Sequence, residues 1–435
     1  MTDCTAAARI IRRTEALCPL CKRRVPAAYE EREKGVYLRR NCPEHGEFAV
    51  VVWRQHYDFA RWVAGAPTLQ AGENPACPTG CGLCGDHQQA TCCVLLPITA
   101  RCNLSCRYCF ADPNQAADPP LWQVEAWLKE LVAPGQSLVQ LSGGEPTLRD
   151  DLPAIVAAAK SAGCAYVQLN SNGIRLAEDA ALAGQLAQAG LSFVFLQFDG
   201  TTEQVYQTLR GRPLGELKQR AIANCARHHI GVTLVPTIVP GVNTDQLGAI
   251  LQFAVQQSPA VRGVHFQPLS YLGRSPQAPA NAPRYTLDEL LHNLISQSGC
   301  LLKQEDFAPS RCDHPLCGWH GDFMTLPGGG LKALHQHDLS SPSGGGGPEA
   351  AAQNRAFVGR RWQRKPPPQA CCDCAPVALD LTDLAQFTAR AVSHGFTITA
   401  MAFQDAATLD IARLRRCSLH VFAQGKHIPF CAYYL

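Results

Sequence analysis

The chain has 435 residues, 46% of them hydrophobic and 17% charged, with 39 Lys and Arg against 36 Asp and Glu for a net charge of +3. A chain of this length is expected to carry roughly two to four domains. So small a charge argues against nucleic acid or an anionic membrane surface as partner. No uncharged apolar run is long enough to be a membrane span, and the opening MTDCTAAARIIRRTEALCPLCKRR lacks the apolar stretch of a signal peptide. The expectation is therefore a cytoplasmic protein. Cysteine is the anomaly, with 22 residues. In a large chain without an export signal, clustered cysteines favour metal over disulfides. Lone Cys164, Cys225 and Cys300 read as buried small hydrophobes.

Residues 1–70 open with Cys18-Pro-Leu-Cys21 and continue to Cys42-Pro-Glu-His45-Gly46, with strand-like Val36–Leu38 and Phe48–Trp53 around the second turn. Cys18, Cys21, Cys42 and His45 make four N/S ligands, a closed structural zinc knuckle. Mononuclear iron held as in rubredoxin fits the same spacing, and an unmetallated pair of turns is the plain alternative. Residues 71–93 hold Cys77, Cys81, Cys84, Cys92 and Cys93 among glycines. Four thiolates from one short loop suit a fully ligated 4Fe–4S cluster, with a second zinc site as the alternative.

From residue 94 to 300 strand-like and helix-like runs alternate. The strands read Val94–Thr99, Leu138–Ser142, Tyr166–Asn170, Phe193–Asp199, Val232–Val239 and Gly263–Leu269. Between them Leu121–Val132, Leu152–Ala162, Ala180–Ala189, Leu214–Arg227 and Asp245–Gln256 carry apolar residues at helical spacing. Continuous apolar strands alternating with helices predict an α/β fold with a parallel sheet buried on both faces. Six such units make a partial (β/α)6 barrel of TIM type, whose ligands gather at the C-terminal strand ends. Residues 301–435 are less regular. Cys312, Cys317, Cys417 and Cys431 make another possible four-thiolate set, with Cys371 and Cys374 as rivals and Cys372 between them.

The chemistry concentrates after strand one, in Thr99-Ala-Arg-Cys102-Asn-Leu-Ser-Cys106-Arg-Tyr108-Cys109. Three cysteines on one short loop ligate three irons of a 4Fe–4S cluster and leave the fourth open to a small molecule. Zinc loops can imitate this spacing. Here, however, strand two ends in Ser142-Gly143-Gly144-Glu145-Pro146-Thr147, strand three in Asn170-Ser-Asn172-Gly173 and strand four in Phe198-Asp199-Gly200. Polar groups and glycines thus stand at successive strand ends, where a barrel holds its ligand.

On these residues the chain resembles the radical S-adenosylmethionine (radical SAM) superfamily. The CNLSCRYC loop, the GGEP segment and the six βα units match it over roughly residues 92–275. The resemblance implies that Cys102, Cys106 and Cys109 bind the catalytic cluster and that S-adenosylmethionine chelates its open iron. Tyr108 would lie near the adenine, Gly143, Gly144 and Glu145 would meet the methionine amino group, and Asn172 and Asp199 would help hold the methionine or ribose. The reduced cluster would then yield a 5′-deoxyadenosyl radical that takes hydrogen from an unactivated carbon. An apolar barrel interior would suit that task. A low-potential donor of ferredoxin or flavodoxin type is the implied electron source.

A narrower resemblance runs through CPLC, CPEHG, CPTGCGLCGDHQQATC, FQPLSYLGR, CDHPLC, RCSLH and IPFCAYY, and points to one branch of the superfamily. That branch contains archaeal tetraether lipid synthases and a pterin methylase-like protein. It implies a zinc or rubredoxin-like site at 1–70 and auxiliary 4Fe–4S clusters on both sides of the barrel. Cys77, Cys81, Cys84 and Cys92 would hold the first, with Cys93 a competitor of Cys92, and the 301–435 cysteines the second. The function so implied is C–C bond formation or methylation on a small-molecule substrate, lipid or pterin-like. A peptide- or protein-modifying maturase is the second reading, and a non-catalytic metal-binding or electron-transfer module the third. His265 reads as a strand histidine satisfied inside the barrel. Arg274 is either an anion contact or a surface residue, and Tyr433 and Tyr434 are placed to shield a cluster.

Overall fold

The computed structural model describes residues 9–66, 77–78, 82–111, 113–114, 116–132, 137–337, 348–364 and 380–435. Cys81, Cys371, Cys372 and Cys374 lie outside the described residues. The first strands, β1 (Arg9–Leu17), β2 (Arg24–Arg32), β3 (Gly35–Cys42) and β4 (Gly46–Trp53), form an antiparallel four-stranded sheet in that order. Along β3 the buried Val36, Leu38, Arg40 and Cys42 alternate with more exposed residues, as a sheet packed on one face requires. Tyr29 and Trp53 pack there against Phe59 and Trp62 of the short helix that follows.

Six strands then make the parallel core: β5 (Cys93–Thr99), β6 (Leu138–Gly143), β7 (Tyr166–Ser171), β8 (Phe193–Gln197), β9 (Gly231–Val235) and, after the two-residue β10 (Thr237–Ile238), β11 (Val261–Pro268). The single strand expected over Val232–Val239 breaks at Pro236, which has no N–H to give the ladder. Its carbonyl instead accepts from Gln267 N at 2.9 Å, and β10 pairs with β11 alone. Helices Leu121–Leu131, Leu152–Ser161, Ala180–Ala189, Gly215–Arg227 and Leu247–Gln256 cover the outer face. Each turns an apolar stripe inward, such as Leu182, Ala183 and Leu186.

The C-terminal region is more regular than its sequence suggests. It supplies β12 (Ala308–Pro309), β13 (Gly318–Thr325), β14 (Leu331–Ala333), β15 (Gly395–Met401), β16 (Leu419–Ala423) and β17 (Lys426–Pro429). β15 runs parallel beside β11 and β16 parallel beside β5, so the partial barrel gains a parallel strand at each edge. Helix Pro348–Trp362 crosses the N-terminal ends of the strands and closes the barrel floor. Trp362 packs edge-on against Phe193, the first residue of β8, at 5.6 Å, and against Phe195 at 4.7 Å, while its Nε1 donates to Thr397 Oγ1 at 2.8 Å. Of the lone cysteines, Cys164 and Cys225 are buried as expected. Cys300 is exposed, because it follows the helix Leu287–Gln297 in a turn with φ +70°. Among the described residues no helix is long and apolar enough to cross a membrane.

Candidate active site

Beyond Thr99 the chain leaves β5 as the three-cysteine loop, which is pinned at both ends. Gly144 N donates to Thr99 O and Glu145 N to Arg101 O, both at 2.8 Å, so the end of β6 is sewn to the loop. A Cβ on Gly144 would overlap the Arg101 carbonyl oxygen, and Gly143 sits at φ +123° against Thr99. Only glycines allow that approach. At the far end Cys109 and Arg274 exchange backbone hydrogen bonds of 3.0 and 2.8 Å. Arg274 is thereby a backbone partner of the loop. Leu104 anchors the middle among Ile174, Tyr206 and Leu214.

Cys102, Cys106 and Cys109 line one cavity of about 310 Å³ together with Tyr108, Gly143, Gly144, Glu145 and Asn172. Burial pushes the Cys102 thiol up to about 11, and Glu145, Cys106 and Cys109 add to the effect. The Cys102 thiol stays protonated in that setting unless a cation compensates it, and an iron–sulfur cluster is such a partner. The donor set therefore fits the group.

Beneath the loop lies a buried polar frame. Glu145 Oε1 accepts from Thr147 N at 3.1 Å, Thr147 Oγ1 at 2.7 Å and Ser171 Oγ at 2.8 Å, and its Oε2 accepts from Asn172 N at 2.6 Å. Its carboxylate thus joins the ends of β6 and β7. Asn172 Nδ2 donates to Asn103 Oδ1 at 2.7 Å, tying the frame back to the loop. Asp199 is fully buried and is not among the cavity walls. It takes a two-pronged pair from Arg210, 2.7 Å on each arm, and Thr237 N at 3.1 Å. Arg210 is the residue that reaches the cavity. Burial alone would lower Arg210, but Asp199 outweighs it and keeps the guanidinium charged beside Cys106. Lys218, with no exposed surface, donates to Asn172 O at 2.5 Å and Gln197 Oε1 at 2.8 Å. The sequence reading missed Arg210 and Lys218. A signal existed for the second: Lys218 falls on the same helical stripe as buried Ala221, Ile222 and Cys225.

The cavity continues down the barrel, and polar side chains interrupt its largely apolar lining. Gln140, Asn170, His265 and Gln267 line it beside Phe195 and Trp362. Tyr108 packs edge-on to Tyr271 at 6.3 Å. Tyr434 packs on Phe110 at 5.0 Å, next to Cys109, while Tyr433 is partly exposed.

At the N-terminal sheet the ligand atoms of Cys18, Cys21, Cys42 and His45 all lie within 4.8 Å of one another. Cys21 and Cys42 sulfurs are 3.8 Å apart, and His45 Nδ1 is 3.7 Å from Cys18 Sγ and 3.5 Å from Cys42 Sγ. Zinc bonds of ~2.3 Å to sulfur and ~2.0 Å to nitrogen set tetrahedral edges of roughly 3.5–3.8 Å, so the four groups outline a metal site. His45 holds the Cys42 thiol below its ordinary value.

The remaining cysteines are regrouped relative to the sequence reading. Cys77 and Cys84 line a small pocket with His87 and Arg415. Cys92 lies instead with Cys93 and Cys312, close enough for their thiols to interact, and Asn354 Nδ2 donates to Cys92 Sγ at 3.4 Å. Cys92 and Cys93 line the main cavity. Cys317, Cys417 and Cys431 are mutual neighbours, with Arg413 Nη2 3.7 Å from Cys317 Sγ. Gln89 Nε2 donates to the Cys312 carbonyl, and Ser418 N donates to Asp313 Oδ1 at 2.7 Å, which brings the Cys312 turn to Cys92.

A model of the radical SAM superfamily matches residues 96–254, and one of the HMPTM N-terminal zinc ribbon domain matches residues 10–54. The 7,8-dihydro-6-hydroxymethylpterin dimethyltransferase of Methanocaldococcus jannaschii is 29% identical, over 97% of this chain and 93% of that protein. The Fe-coproporphyrin III synthase of Methanosarcina barkeri is 31% identical over 42% of this chain and 45% of that protein. Among solved structures, Streptococcus suis SuiB bound to precursor peptide SuiA aligns with a TM-score of 0.40 at 15% identity, covering 49% of this chain and 48% of that one. Residues 96–254 are thus a radical SAM domain and residues 10–54 match a zinc ribbon, and the chain is an enzyme similar over nearly its whole length to a pterin dimethyltransferase.

Proposed function

We propose that this enzyme forms a C–C bond, as in methylation, at an unactivated carbon of a pterin-like heterocycle. The observation that carries the reading is the likeness to the pterin dimethyltransferase, which runs through the zinc ribbon, the barrel and the C-terminal strands alike. A lipid substrate is the weaker reading. An alkyl chain inside the barrel would offer no partner to the second amide N–H of Gln140 and Asn170, at a cost of roughly 1–3 kcal/mol for each buried group.

In this reading Cys102, Cys106 and Cys109 hold the 4Fe–4S cluster. When bound, that cluster supplies the electron that cleaves S-adenosylmethionine and so starts hydrogen abstraction. Gly143 and Gly144 give the cofactor's amino-acid end a close, side-chain-free wall, and Glu145 acts by fixing that wall to β7. Arg210, held by Asp199, offers a fixed positive charge beside the cofactor's carboxylate or the cluster itself. Tyr108 and Asn172 complete the upper wall. Helix Pro348–Trp362 closes the floor and limits solvent access from that end. Cys18, Cys21, Cys42 and His45 are assigned zinc rather than iron, on the mixed sulfur and nitrogen donor set. Cys77, Cys84, Cys92, Cys312, Cys317, Cys417 and Cys431 are assigned to auxiliary clusters, and electrons are assigned to a ferredoxin or flavodoxin.

The test begins with anaerobic reconstitution and a count of iron and sulfide. Dithionite-driven cleavage of S-adenosylmethionine is expected in the wild type and is expected to vanish in Cys106→Ala. Equal cleavage in the variant would sink the assignment of the loop. Deuterium passing from a labelled hydroxymethyl-dihydropterin into 5′-deoxyadenosine is the expected sign of the substrate, and its absence with an actively cleaving enzyme would remove the pterin reading.

A further inference from the structure

We propose that the middle of the barrel lumen is a preformed slot for a flat heteroaromatic ring, with Asn170, Gln140 and His265 reading its edge and Phe195 facing its plane. The inference rests on the reading of this enzyme as one that acts on a pterin-like heterocycle.

The argument starts from strand alternation. Residues two apart on a barrel strand share a face, and the cavity is lined by Leu138, Gln140 and Ser142 of β6, by Asn170 of β7 and by Phe195 and Gln197 of β8. Gln140, Asn170 and Phe195 therefore share the lumen face as one tier: Asn170 is in register with Phe195, and Gln140, level with Gln168, is joined to Asn170 by a hydrogen bond, while Ser142, Asn172 and Gln197 lie nearer the cysteine loop. His265 of β11 lines the same cavity, next to the Phe195 ring. Trp362 lies underneath and closes it, 4.7 Å from Phe195 and 6.5 Å from His265 between ring centres.

The polar groups of this tier are oriented but not used up. Gln168 Nε2 donates to Asn170 Oδ1 at 2.6 Å, Asn170 Nδ2 donates to Gln140 Oε1 at 3.3 Å, and Gln140 Nε2 donates to Cys93 Sγ at 3.2 Å. A primary amide carries two N–H groups. Asn170 and Gln140 therefore each keep one N–H for the cavity, and the chain of bonds fixes which way each amide faces. His265 Nδ1 is 2.7 Å from Thr399 Oγ1, which leaves Nε2 for a ligand. Burial pulls His265 down to about 4, so the ring is neutral and offers one donor and one acceptor. The His265 and Phe195 rings lie 5.5 Å apart, tilted by 34°.

Such a tier suits a ring whose edge alternates acceptors and donors while its faces are apolar. The pyrimidinone edge of a pterin has that pattern. Neither an alkyl chain nor a simple benzenoid ring would use the free amide hydrogens.

The experiment is an anaerobic fluorescence titration of 6-hydroxymethylpterin into the reconstituted full chain, in wild type, Asn170→Ala and His265→Gln. His265→Gln keeps a hydrogen-bond partner for Thr399 and so guards against a folding defect. Each substitution is expected to raise the Kd about tenfold or more. Cleavage of S-adenosylmethionine without substrate is expected to stay within about twofold, because neither residue belongs to the upper tier. Affinities equal to wild type in both variants would overturn the slot while leaving the pterin reading in place. A wild type that cleaves S-adenosylmethionine but binds no pterin would overturn both.

Discussion

Lys218 lies under the cysteine loop with no solvent contact, and burial pulls its amine down to about 7, against the partial support of Asp199. The unfolded chain keeps an ordinary lysine pKa of ~10.4. Between these values the unfolded state binds a proton that the folded state does not, so the folded state gains stability as pH rises through that window and loses it as pH falls towards 7. Lys218→Met is expected to abolish this contribution. The difference in unfolding free energy between wild type and variant should change by up to about 1.4 kcal/mol per pH unit above pH 7. Denaturant melts at several pH values check it, with other titrating groups cancelling in the difference. The same side chain shows why a lone charge is hard to read in a sequence. A lysine on a helix is taken for the solvated face, and only the stripe of Ala221, Ile222 and Cys225 around it argues otherwise.

At the scale of elements, helix Pro348–Trp362 decides how deep the active site is. It lies against the floor closely enough that a Cβ on Gly359 would overlap the Tyr166 ring, and one on Gly231 would overlap Trp362 O. Replacing a helical glycine with alanine ordinarily gains about 1 kcal/mol of helix propensity. At Gly359 the overlap is the larger effect, since forcing an extra methyl into a packed contact costs roughly 1–3 kcal/mol. Gly359→Ala is therefore expected to destabilise the protein. Trimming the ring, in Gly359→Ala with Tyr166→Leu, should recover part of the loss. Thermal unfolding of the two variants distinguishes them from a simple propensity gain, which would raise the melting temperature.

For the whole molecule, the N-terminal sheet is held to the barrel by buried carboxylates as well as by its apolar core. Asp288 accepts from Arg54 N at 2.9 Å and His56 N at 3.1 Å, and Asp410 from Thr14 Oγ1 at 2.6 Å and Tyr29 Oη at 2.5 Å. The metal turns sit at the sheet's own strand ends, and their ligands are not among these anchors. One zinc per chain is expected beyond the iron of the clusters, and Cys42→Ser is expected to lose it. Because the anchors survive, the damage should be local. Limited proteolysis should open the turns at 18–23 and 42–46 while the barrel stays protected, and metal analysis with mass mapping of the cuts reads both.

The sequence by itself determined what local chemistry can carry. The cysteine triplet, the GGEP turn, the zinc ribbon and the order of six βα units all depend on residue type and short spacing, and each stands where periodicity puts it. Tertiary structure alone decided the rest. That Asp199 serves Arg210, that Cys92 meets Cys312, that β15 and β16 extend the barrel and that a late helix closes its floor are contacts between residues far apart in the chain. Pairing of that kind depends on shape, burial and satisfied hydrogen bonds across the whole fold, and short spacing carries none of it.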